Sequence, residues 1–397
     1  MRVLQLVKTN DGARWALDQV IELVKAGLHV HVVLPEKDGR FSEDWRQSGA
    51  VIHKLDIGLY MTSPTRFMRM LNALKALVAE ISPDIIHSHF FSTTLAIRYA
   101  LGKKHIIPRI FQVPGPFHME YSFFRVWELS AAGPNDYWIA SSKYTLQKYL
   151  AAGVSPDKLY LSYYGNENFT PPQGRLGLRE KYGIAPDAFV VGNVNYMYPP
   201  RWYLGQTKGI KRHEDVIDAL AIVTQERENV VGLIIGGEWG GKDQYEKCLL
   251  KRAREKNGRI IMTGWIPAME AKLAWNEFDL AVHVPSTENC GGVIEPLIAS
   301  VPVIASNVGG LPEVIIDDLT GITVDHDCPQ QLAAAISKVA SNYQKYKDRT
   351  DKGRRLVQEM FDVKRTSSEV ALIYRHIIDK STPRPSQFDS RNFALQH

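Results

Sequence analysis

The chain has 397 residues, 45% hydrophobic and 23% charged, with a formal net charge of +5. That length exceeds one ordinary core and suits two or three domains. The mild positive charge fits anionic substrates or a lipid surface and is too weak for a nucleic-acid binder. No apolar run approaches the ~18 residues of a membrane span, and the opening MRVLQLVKTN has no signal-peptide core. Cys248, Cys290 and Cys328 form neither a disulfide framework nor a CxxC site, so a reducing cytoplasm is the expected compartment.

The pattern along the chain is strand, helix, strand. RVLQLV (2–7) alternates as a strand, RWALDQVIELVKAG (14–27) reads as an amphipathic helix ending at Gly27, and HVHVVLP (29–35) is a strand stopped by Pro35. A strand at 51–57 and a long helix at 65–81 follow, then short buried strands at 84–90, 108–115, 136–142 and 158–165. Prolines, glycines and charges mark 171–187 as a linker. The alternation then restarts with FVVGNVNY (189–196), a helix at 215–225, VVGLIIGG (230–237), a helix at 245–255, RIIMTG (259–264), DLAVHVPS (279–286), PVIASN (302–307), GITVD (321–325) and a helix at 331–341. Such alternation implies parallel sheets covered by helices on both faces, in two Rossmann-like halves. The boundaries read as 1–170, joined by an amphipathic helix at 362–380; a linker at 171–187; 188–361; and a poorly ordered tail at 381–397. With two such halves, the cleft between them is the expected site.

The first strand leads to KTNDGARW, with Gly12 alone, so the GxGxxG of a dinucleotide site is missing, and Walker A is absent too. DHD at 325–327 reads as a polar turn rather than a metal motif. The unusual passage is STENCGGVIEPLIASVPVIASNVGGLPE (286–313). Pro296 sits where a helix is starting, because proline is tolerated only in the first turn. Gly291 and Gly292 therefore belong to a strand-to-helix turn whose free N–H groups suit a phosphate. Glu288 and Glu295 flank it and suit sugar hydroxyls.

Together these segments resemble the retaining glycosyltransferases of family 4, whose fold is the two-domain GT-B architecture. Glu288-Asn-Cys-Gly291, Glu295-Pro-Leu-Ile-Ala-Ser-Val-Pro302 and Gly309-Gly310-Leu-Pro-Glu313 stand where that family has its acid–glycine, Glu-Ala-Met-Ala and Gly-Gly-x-x-Glu motifs. DIIHSHF, DYWIASSKY, YYGNENFTP, LIIGGE and IIMTGWIP match five further motifs in family order. Three departures stand out. The two acids are seven apart instead of eight. The Gly-Arg-Leu of the second domain is replaced by the insertion NVNYMYPPRWYLGQTKGIKRHEDVIDAL. The Gly-Gly of the first loop is reduced to Gly12.

The resemblance implies two Rossmann-like domains facing across a cleft, the first on the acceptor side and the second holding the donor. It implies transfer of a hexose, glucose first, from a UDP-sugar to a hydroxyl with retention, in exopolysaccharide or other cell-envelope glycan synthesis. The implied catalytic set is Glu288 on the sugar, Lys211 on the diphosphate and His118 as a sugar-positioning group. Implied donor contacts are Gly12, Arg201, Lys208, Gly237, Trp265, Ile266, Asn289, Cys290, Gly291, Gly292 and Glu295. Lys208 and Lys211 both stand near the place of the family lysine, and Arg201 and Arg212 near that of the missing arginine. His87 and His89 read as structural. No metal or cofactor is implied. The partners are a nucleotide sugar and a glycan or lipid-linked glycan acceptor, with peripheral inner-membrane contact through the basic, apolar helix at 66–78 and no nucleic acid. Alternatives are an N-acetylamino-sugar transferase to an aminocyclitol, a sugar-nucleotide epimerase, or an inactive sugar-nucleotide sensor.

Overall fold

Seven short apolar runs pair in the first part of the chain: β1 (Arg2–Leu6), β2 (His29–Leu34), β3 (Val51–Lys54), β4 (Ile85–Ser88), β5 (Arg109–Val113), β6 (Asp136–Ala140) and β7 (Leu159–Leu161). All pairs are parallel, in the order β3-β2-β1-β4-β5-β6-β7. Six more form a second parallel sheet: β8 (Phe189–Val194), β9 (Val230–Ile235), β10 (Ile260–Met262), β11 (Leu280–His283), β12 (Val303–Ser306) and β13 (Ile322–Val324), in the order β10-β9-β8-β11-β12-β13. These are two Rossmann-like sheets of the GT-B kind. This computed structural model describes residues 1–166, 170–256 and 258–396. It divides into two units, Met1–Asn168 with Met360–Phe388 and Phe169–Glu359 with Asp389–His397.

In the first unit, Leu17, Val20 and Leu23 of helix Arg14–Lys25 pack with Val3, Val32 and Ile110 of the sheet and with Val370, Ile373 and Tyr374 of helix Val363–Ile378. Each such aliphatic side chain, fully buried, contributes about 1.5–3 kcal/mol over leaving it in water. His87 and His89 are buried in this core. His87 Nδ1 bonds the Tyr374 hydroxyl, His89 Nε2 the Gln5 amide oxygen (2.8 Å), and His89 Nδ1 the Tyr164 hydroxyl (3.0 Å). Arg98, Glu128, Asp136 and Arg109 form a buried ion-pair chain. Helix Pro64–Ile81 buries Met70, Leu71, Leu74, Val78 and Ile81, leaving Arg66, Met68, Arg69 and Lys75 exposed.

Two expectations need correction. Within the expected linker, the amides of Leu176 and Gly177 donate to Glu277 Oε1 (both 2.9 Å) and Leu178–Lys181 is helical, so part of it is packed into the second unit. The tail is ordered as well. Arg384 donates to the carbonyls of Pro156 (2.9 Å) and Leu159, and Ser390–Gln396 is a helix with Ser390 and Ala394 buried.

Candidate functional site

In the second sheet the chain runs from β8 outward to β10 and then returns to the other side of β8 as β11. Loops leaving the carboxyl ends of β8 and β11 diverge at such a reversal and leave a crevice. A cavity of about 310 Å³ opens beside it, lined among others by Asn195, Tyr196 and Tyr198 after β8, Gly236 after β9, Lys211, Trp265, Ile266 and Glu295.

Two loops bring the charged groups together. Ile210 accepts from Ser286 through its carbonyl (amide 2.9 Å, hydroxyl 3.3 Å), tying the segment before helix His213–Glu226 to the one after β11. Lys211 and Glu288 meet across that tie in a part-buried ion pair. Glu288 Oε2 also lies 3.3 Å from His283 Nε2, and its Oε1 accepts from the Asn289 amide at 3.1 Å. Burial pushes the Glu288 carboxyl up, but the Lys211 charge and the His283 hydrogen bond outweigh it and hold the carboxyl well below the usual carboxylate range. Glu295, exposed on the helix Ile294–Ile298, accepts from Trp275 Nε1 at 3.1 Å.

The glycines of 286–313 now have separate reasons. A Cβ at Gly292 would collide with the His283 ring. Gly309 has φ +55° and lies against the Glu288 carbonyl, where a Cβ would clash, and the Gly310 amide donates to that same carbonyl at 3.3 Å. Gly291 is exposed, with open space around it. Gly237 lets Trp265 approach, since a Cβ there would lie 3.0 Å from that of Trp265.

The helix expected at Pro296 is present but short. Gly291–Val293 is a single 3₁₀ turn, and the α-helix runs only over Ile294–Ile298. Pro302 disfavours helix at Val301, and Ser300 closes the turn in the left-handed region at φ +55°. A helix this short provides little dipole, which leaves Lys211 as the main positive group lining the cavity.

Other residues singled out from the sequence are placed differently. Lys208 pairs with Asp215 (2.6 Å) and with Asp327, which Arg212 also reaches at 3.2 Å. Arg201 is exposed, and its amide donates to Gln206 Oε1 at 3.0 Å. Cys290 is buried, its thiol raised by burial and set against the Gly310 carbonyl at 3.4 Å. Gly12 and His118 belong to the first unit. The Gly12 amide donates to Thr9 Oγ1 at 3.3 Å. His118 is buried, with Nε2 2.7 Å from the Tyr149 hydroxyl, and burial takes its pKa down to about 4. Sequence reasoning passed over His283, Asn195, Tyr196 and Tyr198. Their signal was positional: His283 is the last residue of β11, and the others directly follow β8.

The family model described as glycosyl transferases group 1 matches residues 181–356, and that of glycosyltransferase family 4 matches 12–165. YtcC of Bacillus subtilis (strain 168) is 25% identical over 228 residues, covering 56% of this chain and 53% of YtcC. A D-inositol 3-phosphate glycosyltransferase of Streptomyces bingchenggensis (strain BCW-1) is 26% identical over 199 residues, 48% of this chain and 42% of its own. The chain thus spans about half the length of the curated relatives it matches. Among solved structures, Anabaena HepE in complex with UDP superposes with a TM-score of 0.75 at 19% identity, over 94% of this chain and 98% of HepE. Sucrose-phosphate synthase from Thermosynechococcus elongatus gives 0.73 at 17% identity, over 96% and 100%. At these identities the structural likeness is one of fold.

Proposed function

The chain belongs to glycosyltransferase family 4, and from that premise we propose that its second unit binds a UDP-hexose, glucose first, and transfers the sugar to an acceptor hydroxyl with retention of configuration. One observation carries the reading: Lys211, Glu295, Trp265 and Ile266 line one cavity at the carboxyl ends of a parallel sheet, with Glu288 paired to Lys211. The base lies against Trp265 and Ile266, Glu295 takes the ribose hydroxyls, Lys211 meets the diphosphate and Glu288 the transferred sugar. HepE, whose fold this chain shares, has also been solved with UDP-glucose, at a TM-score of 0.73 and 20% identity.

In the reaction the bond from the anomeric carbon to the diphosphate oxygen breaks and a bond to the acceptor oxygen forms on the same face. The acceptor proton passes to the departing phosphate, and UDP leaves. Lys211 stabilises the charge that builds on the leaving diphosphate. A preorganised donor of this kind is worth about 2.7–4 kcal/mol in the transition state, and the reading requires no metal. Glu288 sits where positive charge develops on the sugar. The acceptor is a glycan or lipid-linked glycan of the cell envelope, met in the cytoplasm or peripherally at the inner membrane. Among the described residues, no helix is long and apolar enough to cross a membrane.

Calorimetry with UDP, GDP and ADP tests the donor: UDP should bind most tightly, and tighter binding of either purine nucleotide sinks the uridine assignment. A small cyclitol acceptor is the second reading, favoured by the relatives named D-inositol 3-phosphate glycosyltransferase. Supplying D-inositol 3-phosphate or a glycan acceptor in an assay of UDP release from UDP-glucose separates the two.

A further inference from the structure

We propose that His283 is a positioning residue that holds the Glu288 carboxylate in place beside the cavity when Lys211 turns to a donor phosphate. This rests on the reading of Lys211 as the diphosphate ligand and adds a residue with no role in it so far.

Glu288 holds two partners through Oε2, Lys211 and His283. Only one of them is a cavity-lining cation that an incoming diphosphate would claim. Once Lys211 is shared with phosphate, the side-chain hold on the carboxylate passes to the imidazole. That ring is built to stay. His283 ends β11, is buried, and lies under Gly292, which must lack a Cβ to make room for it.

The surrounding amides also fix which nitrogen carries the proton. Asn193 Nδ2 donates to the Val282 carbonyl at 2.8 Å, which turns Asn193 Oδ1 toward Asn195 Nδ2 at 3.4 Å. Asn195 Nδ2 in turn points at His283 Nδ1 at 3.3 Å. An amide N–H facing Nδ1 makes that atom the acceptor, so Nε2 carries the hydrogen and donates to Glu288. The chain Asn193–Asn195–His283–Glu288 thus runs in one direction from the carboxyl end of β8 across to the loop after β11. Its far end is a carboxylate with a fixed donor. The charged and titratable groups facing the ring are Glu288, Lys211 and the buried His213, and burial keeps the ring neutral.

Nitrogen-detected NMR of histidine-labelled protein, with His283→Gln supplying the assignment, tests the geometry without any substrate. The expected result is an Nε2–H ring with Nδ1 unprotonated, converting in Asn195→Asp, where a carboxylate replaces the amide donor while Glu288 keeps its place at Nε2, to a ring protonated on both nitrogens. Kinetics then test the role, using UDP release from UDP-glucose with water as acceptor. His283→Ala should lower kcat at least tenfold with the UDP-glucose KM within threefold. His283→Gln, which restores an N–H near the Nε2 position, should recover most of the loss. Equal losses in Ala and Gln, or an unchanged kcat in His283→Ala, overturn the positioning role. An Nδ1–H ring in the unsubstituted protein overturns the inference alone. Absence of UDP release from UDP-glucose by the unsubstituted chain overturns the reading of the site, and the positioning role with it.

Discussion

Two cation–carboxylate assemblies, one in each unit, look alike on paper and differ in what surrounds them. In the first unit Arg98 and Glu128 have side-chain exposures of 1% and 0%, and the chain continues through Asp136 to Arg109. Trp138 Nε1 donates to Glu128 Oε1 at 3.0 Å, and His118 nearby is held by Tyr149. In the second unit Lys211 and Glu288 keep exposures of 19% and 17%, and Lys211 borders a cavity. The first assembly directs its charges at one another inside the fold. The second leaves a cation and a carboxylate beside open space, which is the arrangement a charged ligand can reorganise. Burial is what separates the two pairs.

The largest effect should come from breaking the closed assembly. Removing one partner of a buried pair strands the other charge and costs about 3–5 kcal/mol. Arg98→Met leaves Glu128 and one face of Asp136 uncompensated, so the first unit should lose stability on that scale in urea unfolding. Binding of UDP to the second unit, followed by calorimetry on folded protein, should stay within twofold. A stable Arg98→Met protein would show that the four-residue network contributes nothing to the fold.

Lys211→Ala should act mainly on turnover. The pair is part-buried, so the melting temperature should fall, but by less than in Arg98→Met, because His283 and the Asn289 amide still hold the Glu288 carboxylate. Loss of a cation acting on the leaving diphosphate should lower kcat by about 10²–10³. If Lys211→Ala keeps its turnover while Lys208→Ala loses it, the diphosphate lysine is the other one, despite the ion pairs Lys208 makes with Asp215 and Asp327.

The comparison also shows what a sequence carries. Mostly apolar runs alternating with helical spacing make both parallel sheets readable, because a strand buried on both faces is largely apolar. Lys211 and Glu288 were readable as residues, but the ion pair between them was not. It depends on Ser286 bonding Ile210 across 76 positions of sequence. His283 passed for an ordinary strand residue, since nothing local announces that Glu288 will fold back onto it. His118 entered through the family resemblance alone, and nothing local in the sequence announces that the ring is buried with Nε2 beside the Tyr149 hydroxyl. The shortness of the helix at Ile294–Ile298 was legible in part from Pro302, which disfavours helix at Val301.

His118 supplies the third test. Its folded pKa of about 4 lies below the ordinary 6.5, with burial as the main cause. Above pH 6.5 neither state holds the proton, and the group contributes no pH dependence. Between 6.5 and 4 the unfolded chain takes a proton that the folded one refuses, so stability falls as pH falls and levels off below 4. By pH 5 this amounts to about 2 kcal/mol. Acid unfolding of the first unit should therefore begin below pH 6.5, and His118→Gln should flatten that slope by nearly one proton. His87 and His89, depressed for the same reason, leave a residual slope in the variant. An unchanged slope would mean that His118 charges freely in the folded state and is more open than its burial implies.

The smallest effect belongs to Asp325 and Asp327, which sit between the two extremes of the comparison. Asp327 is half exposed and pairs with Lys208 and Arg212, whose charges and hydrogen bonds pull its carboxyl down against weak desolvation. An acid with two cations beside it is already neutralised, so it has little remaining field to offer a divalent ion. If Lys211 meets the diphosphate, neither aspartate is needed for turnover. The double variant Asp325→Ala with Asp327→Ala should keep kcat within about twofold and lose less than about 1 kcal/mol of stability, the range for exposed pairs. EDTA should leave UDP release unchanged. Loss of turnover in EDTA with recovery on adding Mg²⁺ or Mn²⁺ would transfer the charge stabilisation from Lys211 to a metal. If the aspartate variant lost turnover in parallel, Asp325 and Asp327 would become the place to look for that ion.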